Sequence, residues 1–145
     1  MSSLKEYRLE KQVGFLLRRA NQRHLSIFGQ TIDHLTPTQF AALAKLFEHG
    51  PMFQNDLGRS TAMDAATIKG VVDRLARKGL VATRTDQQDL RRVIASLTEA
   101  GEALITGMIP SAEGITAETL SPLDPAEREI FLSLLKKMAD APGRA

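Results

Sequence analysis

Within a few residues of Gly79 the apolar spacing changes from the 3.6-residue period of a helix to the two-residue period of a strand, and few folds accommodate that switch. The stretch "DAATIKGVVDRLARKG" places Ile68, Val71, Val72 and Leu75 on one helix face, with Asp64 as N-cap and Gly79 as the stop. Immediately afterwards "LVATRT" and "RRVIASL", two β-branched runs separated by the polar "DQQDL", predict a hairpin with a longish loop. Upstream, "QNDLGRST" predicts a short helix, and Ala62-Met63 supply the turn between the two helices. A helix-turn-helix followed by a hairpin is a helix-turn-helix with a wing.

The flanks are helical. Leu9, Val13, Leu16, Leu17, Ala20, His24 and Phe28 recur at three- and four-residue intervals and predict a helix from Tyr7 to about Thr31. Thr36, Pro37 and Gln39 form a cap, a first-turn proline and a capping box for the next helix, whose expected inward stripe is Phe40, Leu43, Leu46 and Phe47 and whose end is Gly50-Pro51. Thr98 or Glu99 opens a further helix through Ala103, Leu104 and Met108, interrupted or kinked near Pro110. Asp124, Pro125 and Glu127 repeat the capping logic for a last helix with Ile130, Phe131, Leu134, Leu135 and Met138 on its apolar face.

The expected fold is mainly α with a small β-hairpin wing: a winged helix-turn-helix over residues 36–98, with N- and C-terminal dimerisation helices at 1–35 and 99–145. The terminal stripes are buried most simply against a second copy, giving a two-fold homodimer, with an intramolecular bundle as the alternative.

Composition narrows the function. The chain has no cysteine, which excludes disulfides, thiolate metal sites and thiol redox sensing, and its three histidines lack ligand spacing, so neither a metal nor a cofactor is expected. No apolar run reaches the length of a membrane span and the N-terminus lacks a signal-peptide core, so the expected location is the cytoplasm, away from membranes. Charge is uneven: residues 65–92 hold seven Lys or Arg against three acids, a net +4, while the remainder holds twelve against fourteen, a net −2. Positive charge is concentrated where a polyanion would be met.

With Ile68, Val71, Val72 and Leu75 turned inward, the outward face of that helix carries Ala66, Thr67, Lys69, Gly70, Asp73, Arg74 and Arg77, with Ala65 beside them in the first turn. Small residues at its N-terminal turns let the backbone approach a groove floor, Thr67 and Lys69 can reach base edges or phosphates, and Arg74 and Arg77 reach phosphates. Gly70 costs about 1 kcal/mol relative to alanine inside a helix, and close approach to a partner is one reason to keep it. The wing loop adds Asp89, Arg91 and Arg92: Arg91 suits the narrow minor groove, and Asp89 can accept from its guanidinium and aim it. Double-stranded DNA is the expected partner. Read without that partner, the same residues are a solvated face of mixed charge and a self-neutralising hairpin tip.

The chain resembles the MarR family of winged-helix transcriptional regulators over nearly its whole length. The likeness is carried by "GFLLRRA", "LTPTQFAAL" and "VVDRLARKGLVATRTDQQDLRRVIASLTEAG", and most specifically by Asp89-Leu90-Arg91, similar to the family's D-x-R wing signature, and Leu97-Thr98-Glu99-Ala100-Gly101, similar to its L-T-x-x-G. The resemblance implies a homodimer whose terminal helices interlock, two winged helices reading a pseudo-palindromic operator, and a small molecule bound between the dimerisation helices and the winged domain. It makes Arg91 the minor-groove arginine and Asp89 its support. Family members often carry a base where Ala65 or Gly70 stands, so base-specific hydrogen bonding falls more on Thr67 and Lys69. Members that sense oxidants use a cysteine, which excludes this chain from that subclass. Many members respond to aromatic carboxylates or phenols; here the implied effector pocket holds Arg18 for the carboxylate, His24 as hydrogen-bond partner, and Phe28, Thr38 and Phe40.

The implied function is a repressor released from its operator by a small aromatic effector. Two alternatives stay open: a DNA binder without an effector, and a winged helix that binds protein. An enzyme is not expected, because no nucleophile elbow, H-E-x-x-H or phosphate-cradling glycine loop is present.

Overall fold

The computed structural model describes residues 4–143. Its elements are α1 (Val13–Thr31), α2 (Pro37–His49), β1 (Met52–Phe53), α3 (Gln54–Ser60), α4 (Ala65–Arg77), β2 (Val81–Thr85), β3 (Val93–Leu97), α5 (Glu99–Thr119) and α6 (Pro125–Ala139), preceded by two isolated 3₁₀ turns. The chain divides into two compact units: Phe28–Ala112, and the residues up to Ile27 together with those from Glu113 onward.

In the central unit α2, α3 and α4 pack on one another and on a three-stranded antiparallel sheet of order β1-β3-β2. The capping chemistry read from the sequence fixes the helix starts. Thr36 accepts from Gln39 N at 3.2 Å while its own N–H donates to Gln39 Oε1 at 3.2 Å, and Asp64 accepts from Thr67 N at 2.7 Å. Gly79 turns the chain out of α4 with φ +77°, a left-handed conformation that only glycine adopts without strain. Ala62, between α3 and α4, holds φ +58° at a position where glycine would be easier. Leu43, Leu46, Leu57, Ile68, Leu75 and Ile105 form the solvent-free core.

Several details depart from the sequence expectations. The first helix begins at Val13 rather than Tyr7; Tyr7 and Leu9 are exposed, so no buried face supports helix there. The inward stripe of α2 is Gln39, Ala42, Leu43 and Leu46, whereas Phe40 is half-buried and Phe47 exposed, the helix being rotated by about one position. The sheet has a third strand: Met52 and Phe53 pair with Ala95 and Ile94. Finally, α5 runs unbroken through Pro110, which lies on the exposed side while Ile105, Met108 and Ile115 are buried. Burial on both sides of the proline outweighs the one ladder hydrogen bond it removes.

The other unit comprises the first turns of α1, the end of α5, and α6. Asp124 and Glu127 form their capping box at 2.9 Å in both directions. Arg23 closes the C-terminus of α5, donating to Glu118 O at 2.8 Å and Thr119 O at 3.3 Å. Its apolar faces remain open: α6 has no buried residue, and Val13, Leu16 and Leu17 of α1 with Ile130, Phe131, Leu134 and Met138 of α6 are exposed, Ile130 by 60%. Val13, Leu16, Phe131, Leu134 and Met138 line a shallow apolar groove of about 710 Å³. No helix among the described residues is long and apolar enough to cross a membrane.

Candidate nucleic-acid interface

Helix α4 separates its faces as the spacing predicts. Ile68, Val71, Val72 and Leu75 are buried, while Ala65, Ala66, Thr67, Lys69, Arg74 and Arg77 are exposed and Gly70 is half-buried. The polar face is organised rather than a set of free charges. Lys69 Nζ donates to Asp73 Oδ2 at 2.9 Å, one turn on, and this bond, reinforced by the charges of Lys69, Arg77 and Arg74, holds the Asp73 carboxyl below its usual range. Arg74 folds back along the helix: a Cβ built on Gly70 would stand 3.3 Å from Arg74 Nη1. Gly70 therefore leaves room for a guanidinium laid across the helix surface.

The wing loop is closed by backbone bonds, Asp86 N donating to Arg92 O at 2.9 Å and Arg92 N to Asp89 O at 3.0 Å. Asp89 grips its neighbour in the manner expected from the sequence. Arg91 Nε and backbone N each donate to Asp89 Oδ1 at 3.1 Å, and Arg91 Nη2 lies 3.4 Å from Oδ2. These bonds, the side-chain one first, lower the Asp89 carboxyl below its ordinary pKa. The Arg91 side chain is nevertheless 92% exposed, a cation held in one direction and open to solvent.

Arg92 behaves differently. Its guanidinium carbon lies 3.4 Å from the centre of the Phe53 ring, and Nη2 lies 3.9 Å from Asp56 Oδ2. Phe53 and Asp56 had no signal in the sequence, since their contact depends on the pairing of β1 with β3. Asp73, on the outward face that the spacing predicts, stands four residues after Lys69, the distance at which opposite charges meet on a helix.

The five residues of the expected effector pocket divide between the two units. Phe28 and Phe40 meet edge to face at 6.0 Å in the central unit, where Thr38 is exposed with its hydroxyl 3.2 Å from that of Thr36. In the other unit Arg18 is exposed, and half-buried His24 has Nδ1 3.1 Å from Thr119 Oγ1. His24 lines a groove of about 390 Å³ with Leu17, Asn21, Thr116, Thr119 and Leu120 among its walls.

This geometry has counterparts among known proteins. The MarR family model matches residues 35–93, from the start of α2 to the wing. The HTH-type transcriptional repressor NicR of Pseudomonas putida is 45% identical over 137 residues, which span 93% of this chain and 87% of that relative. The chain belongs to the MarR family. Two solved MarR-like structures extend the likeness to the whole fold. BpsR of Bordetella bronchiseptica, whose DNA binding is regulated by 6-hydroxynicotinic acid, superposes with a TM-score of 0.90 at 46% identity, covering 94% of this chain and 99% of that one. The PcaV transcriptional regulator of Streptomyces coelicolor, solved with its natural ligand, superposes with a TM-score of 0.88 at 30% identity over 97% and 99% of the two chains. As a MarR-family member the protein is a winged-helix transcriptional regulator and not an enzyme.

Proposed function

We propose that this MarR-family chain is a homodimeric repressor of the cytoplasm that binds a pseudo-palindromic duplex and is released from it by a small aromatic carboxylate or phenol. The observation that carries the DNA reading is Arg91, bonded through Nε by Asp89 yet 92% exposed at the wing. It stands in the same winged unit as α4, whose exposed face offers Ala65, Ala66, Thr67, Lys69, Gly70, Arg74 and Arg77 to a major groove. Residues 36–98 are the DNA-binding part, in which Asp89, Arg91 and Arg92 make up the wing. Residues 1–35 and 99–145 are the dimerisation part, supported by the open apolar faces of α1 and α6. A second copy of the chain is the occupant those faces fit, and two recognition helices must then sit one helical turn of DNA apart, roughly 34–36 Å.

The effector reading rests on kinship and on chemistry. BpsR, 46% identical, responds to 6-hydroxynicotinic acid, an aromatic carboxylate with a ring hydroxyl. In one unit Arg18 offers a cation and His24 a hydrogen-bonding group; in the other, Thr38 offers a hydroxyl and Phe28 and Phe40 apolar surface. The experiment is a fluorescence-anisotropy titration of a duplex containing the promoter of the chain's own gene, with and without 6-hydroxynicotinic acid. Tight, salt-steep binding weakened by the acid supports the full proposal. Binding indifferent to a panel of aromatic acids favours a DNA binder without effector, and no binding at low salt leaves a protein-interaction module.

A further inference from the structure

Arg91 and Arg92 are neighbours with equal charge, and the structure gives them opposite surroundings. Both lie in the wing loop just before β3. Arg91 is 92% exposed, whereas the Arg92 side chain, 44% exposed, lies flat over Phe53. Its second partner, Asp56, stands in the first turn of α3 and is itself bonded to Arg59. One side chain thus runs from the entry of β3, across the ring of β1, to the first helix of the helix-turn-helix. The main chain of Arg92 is also where the wing loop closes, through Asp86 N and Asp89 O.

Resting on the proposal that the wing meets DNA, we infer that Arg92 is a positioning residue: its stacking on Phe53 and pairing with Asp56 fix the base of the wing against the helix-turn-helix and so set where Arg91 points. A phosphate contact is the competing use for a cation at this place. Stacking on an aromatic face and pairing with a carboxylate satisfy a planar guanidinium, but they leave a lysine without its flat contact. A loop whose base is fixed presents Arg91 already ordered, so less entropy is lost on binding.

The two uses separate by salt dependence and by partner substitution. Operator affinity is measured against salt for the wild type, Arg92→Ala, Arg92→Lys, Phe53→Leu, the double variant Arg92→Ala/Phe53→Leu, and Arg91→Ala. For a clamp, Phe53→Leu, which removes no charge, lowers affinity about fivefold, as Arg92→Ala does. The double variant is no weaker than either single one, Arg92→Lys fails to restore affinity, and the slope of log affinity against log salt stays that of the wild type, whereas Arg91→Ala reduces it by about 0.9. If Arg92→Ala reduces the slope by that amount and Phe53→Leu binds as the wild type does, the inference is overturned. Amide exchange at Asp86 N–H, bonded to Arg92 O, tests the clamp without DNA. Faster exchange in both single variants supports the clamp even if the wild type binds no duplex, an outcome that would defeat the DNA reading alone. Unchanged exchange defeats the clamp.

Discussion

Gly101 is packed so closely on the Leu80 carbonyl that a Cβ at residue 101 would stand 2.0 Å from the oxygen. Around this contact Thr98 joins the start of α5 to the end of α4: Thr98 N donates to Leu80 O at 3.1 Å, its hydroxyl donates to Gly79 O at 2.7 Å, and the same hydroxyl accepts from Gly101 N at 3.0 Å. The L-T-x-x-G stretch is therefore a joint between α4 and the long helix α5.

Gly101→Ala cannot be accommodated by a rotamer change, because its obstacle is backbone. A loss of at least about 2 kcal/mol in urea unfolding is expected. Thr98→Val, which keeps the shape and removes the hydroxyl, should cost about 1 kcal/mol, and Thr98→Ser should recover most of it. Wild-type stability in Gly101→Ala would show that α5 and Leu80 are farther apart than described.

The Asp89–Arg91 pair predicts a pH response of definite sign. A carboxyl held below its ordinary value of 3.8 contributes its ion pair fully above that value and loses it as pH falls through the lowered one. Removing the donor in Arg91→Ala should move the Asp89 midpoint upward in a carboxyl NMR titration. Between about pH 5 and 8 this pair should leave duplex affinity flat. A midpoint unmoved by the substitution would mean that the two side chains do not pair in solution.

Much of this arrangement was legible in the sequence where local chemistry decides it. The boxes at Thr36–Gln39 and Asp124–Glu127, the cap at Asp64 and the Asp89–Arg91 grip depend on residues within four positions of each other, and the inward set on α4 on the spacing within a single helix. What was not legible depends on partners distant in sequence. Strand β1 is two residues long and exists because Met52 and Phe53 meet β3 forty residues later. The contacts of Arg92 were not legible because Phe53 and Asp56 lie nearly forty residues upstream. Pro110 read as an interruption or a kink because its lost hydrogen bond is local, whereas the burial that keeps α5 continuous is not.

The open faces of α1 and α6 predict that Leu134→Asp yields a monomer. In a two-fold interface each substitution counts twice, so dimer dissociation should rise by about 100-fold or more while helix content is retained. Sedimentation velocity across a concentration series reads this directly. A dimer unaffected by Leu134→Asp would place the interface elsewhere.

For the effector, Arg18→Ala should preserve duplex affinity and blunt release by 6-hydroxynicotinic acid about tenfold or more, the scale of one lost charge-assisted contact. His24→Ala should do the same and also lose the Thr119 contact at 3.1 Å. Loss of DNA binding alone in Arg18→Ala would move that residue from the pocket to the duplex.

The most direct measurement is sedimentation equilibrium of the full chain with a fluorescent pseudo-palindromic duplex taken from the promoter of its own gene, repeated over a range of salt. Two chains per duplex are predicted, with log affinity falling linearly as log salt rises. A single chain per duplex, or no complex even in dilute buffer, would contradict a paired winged-helix reader.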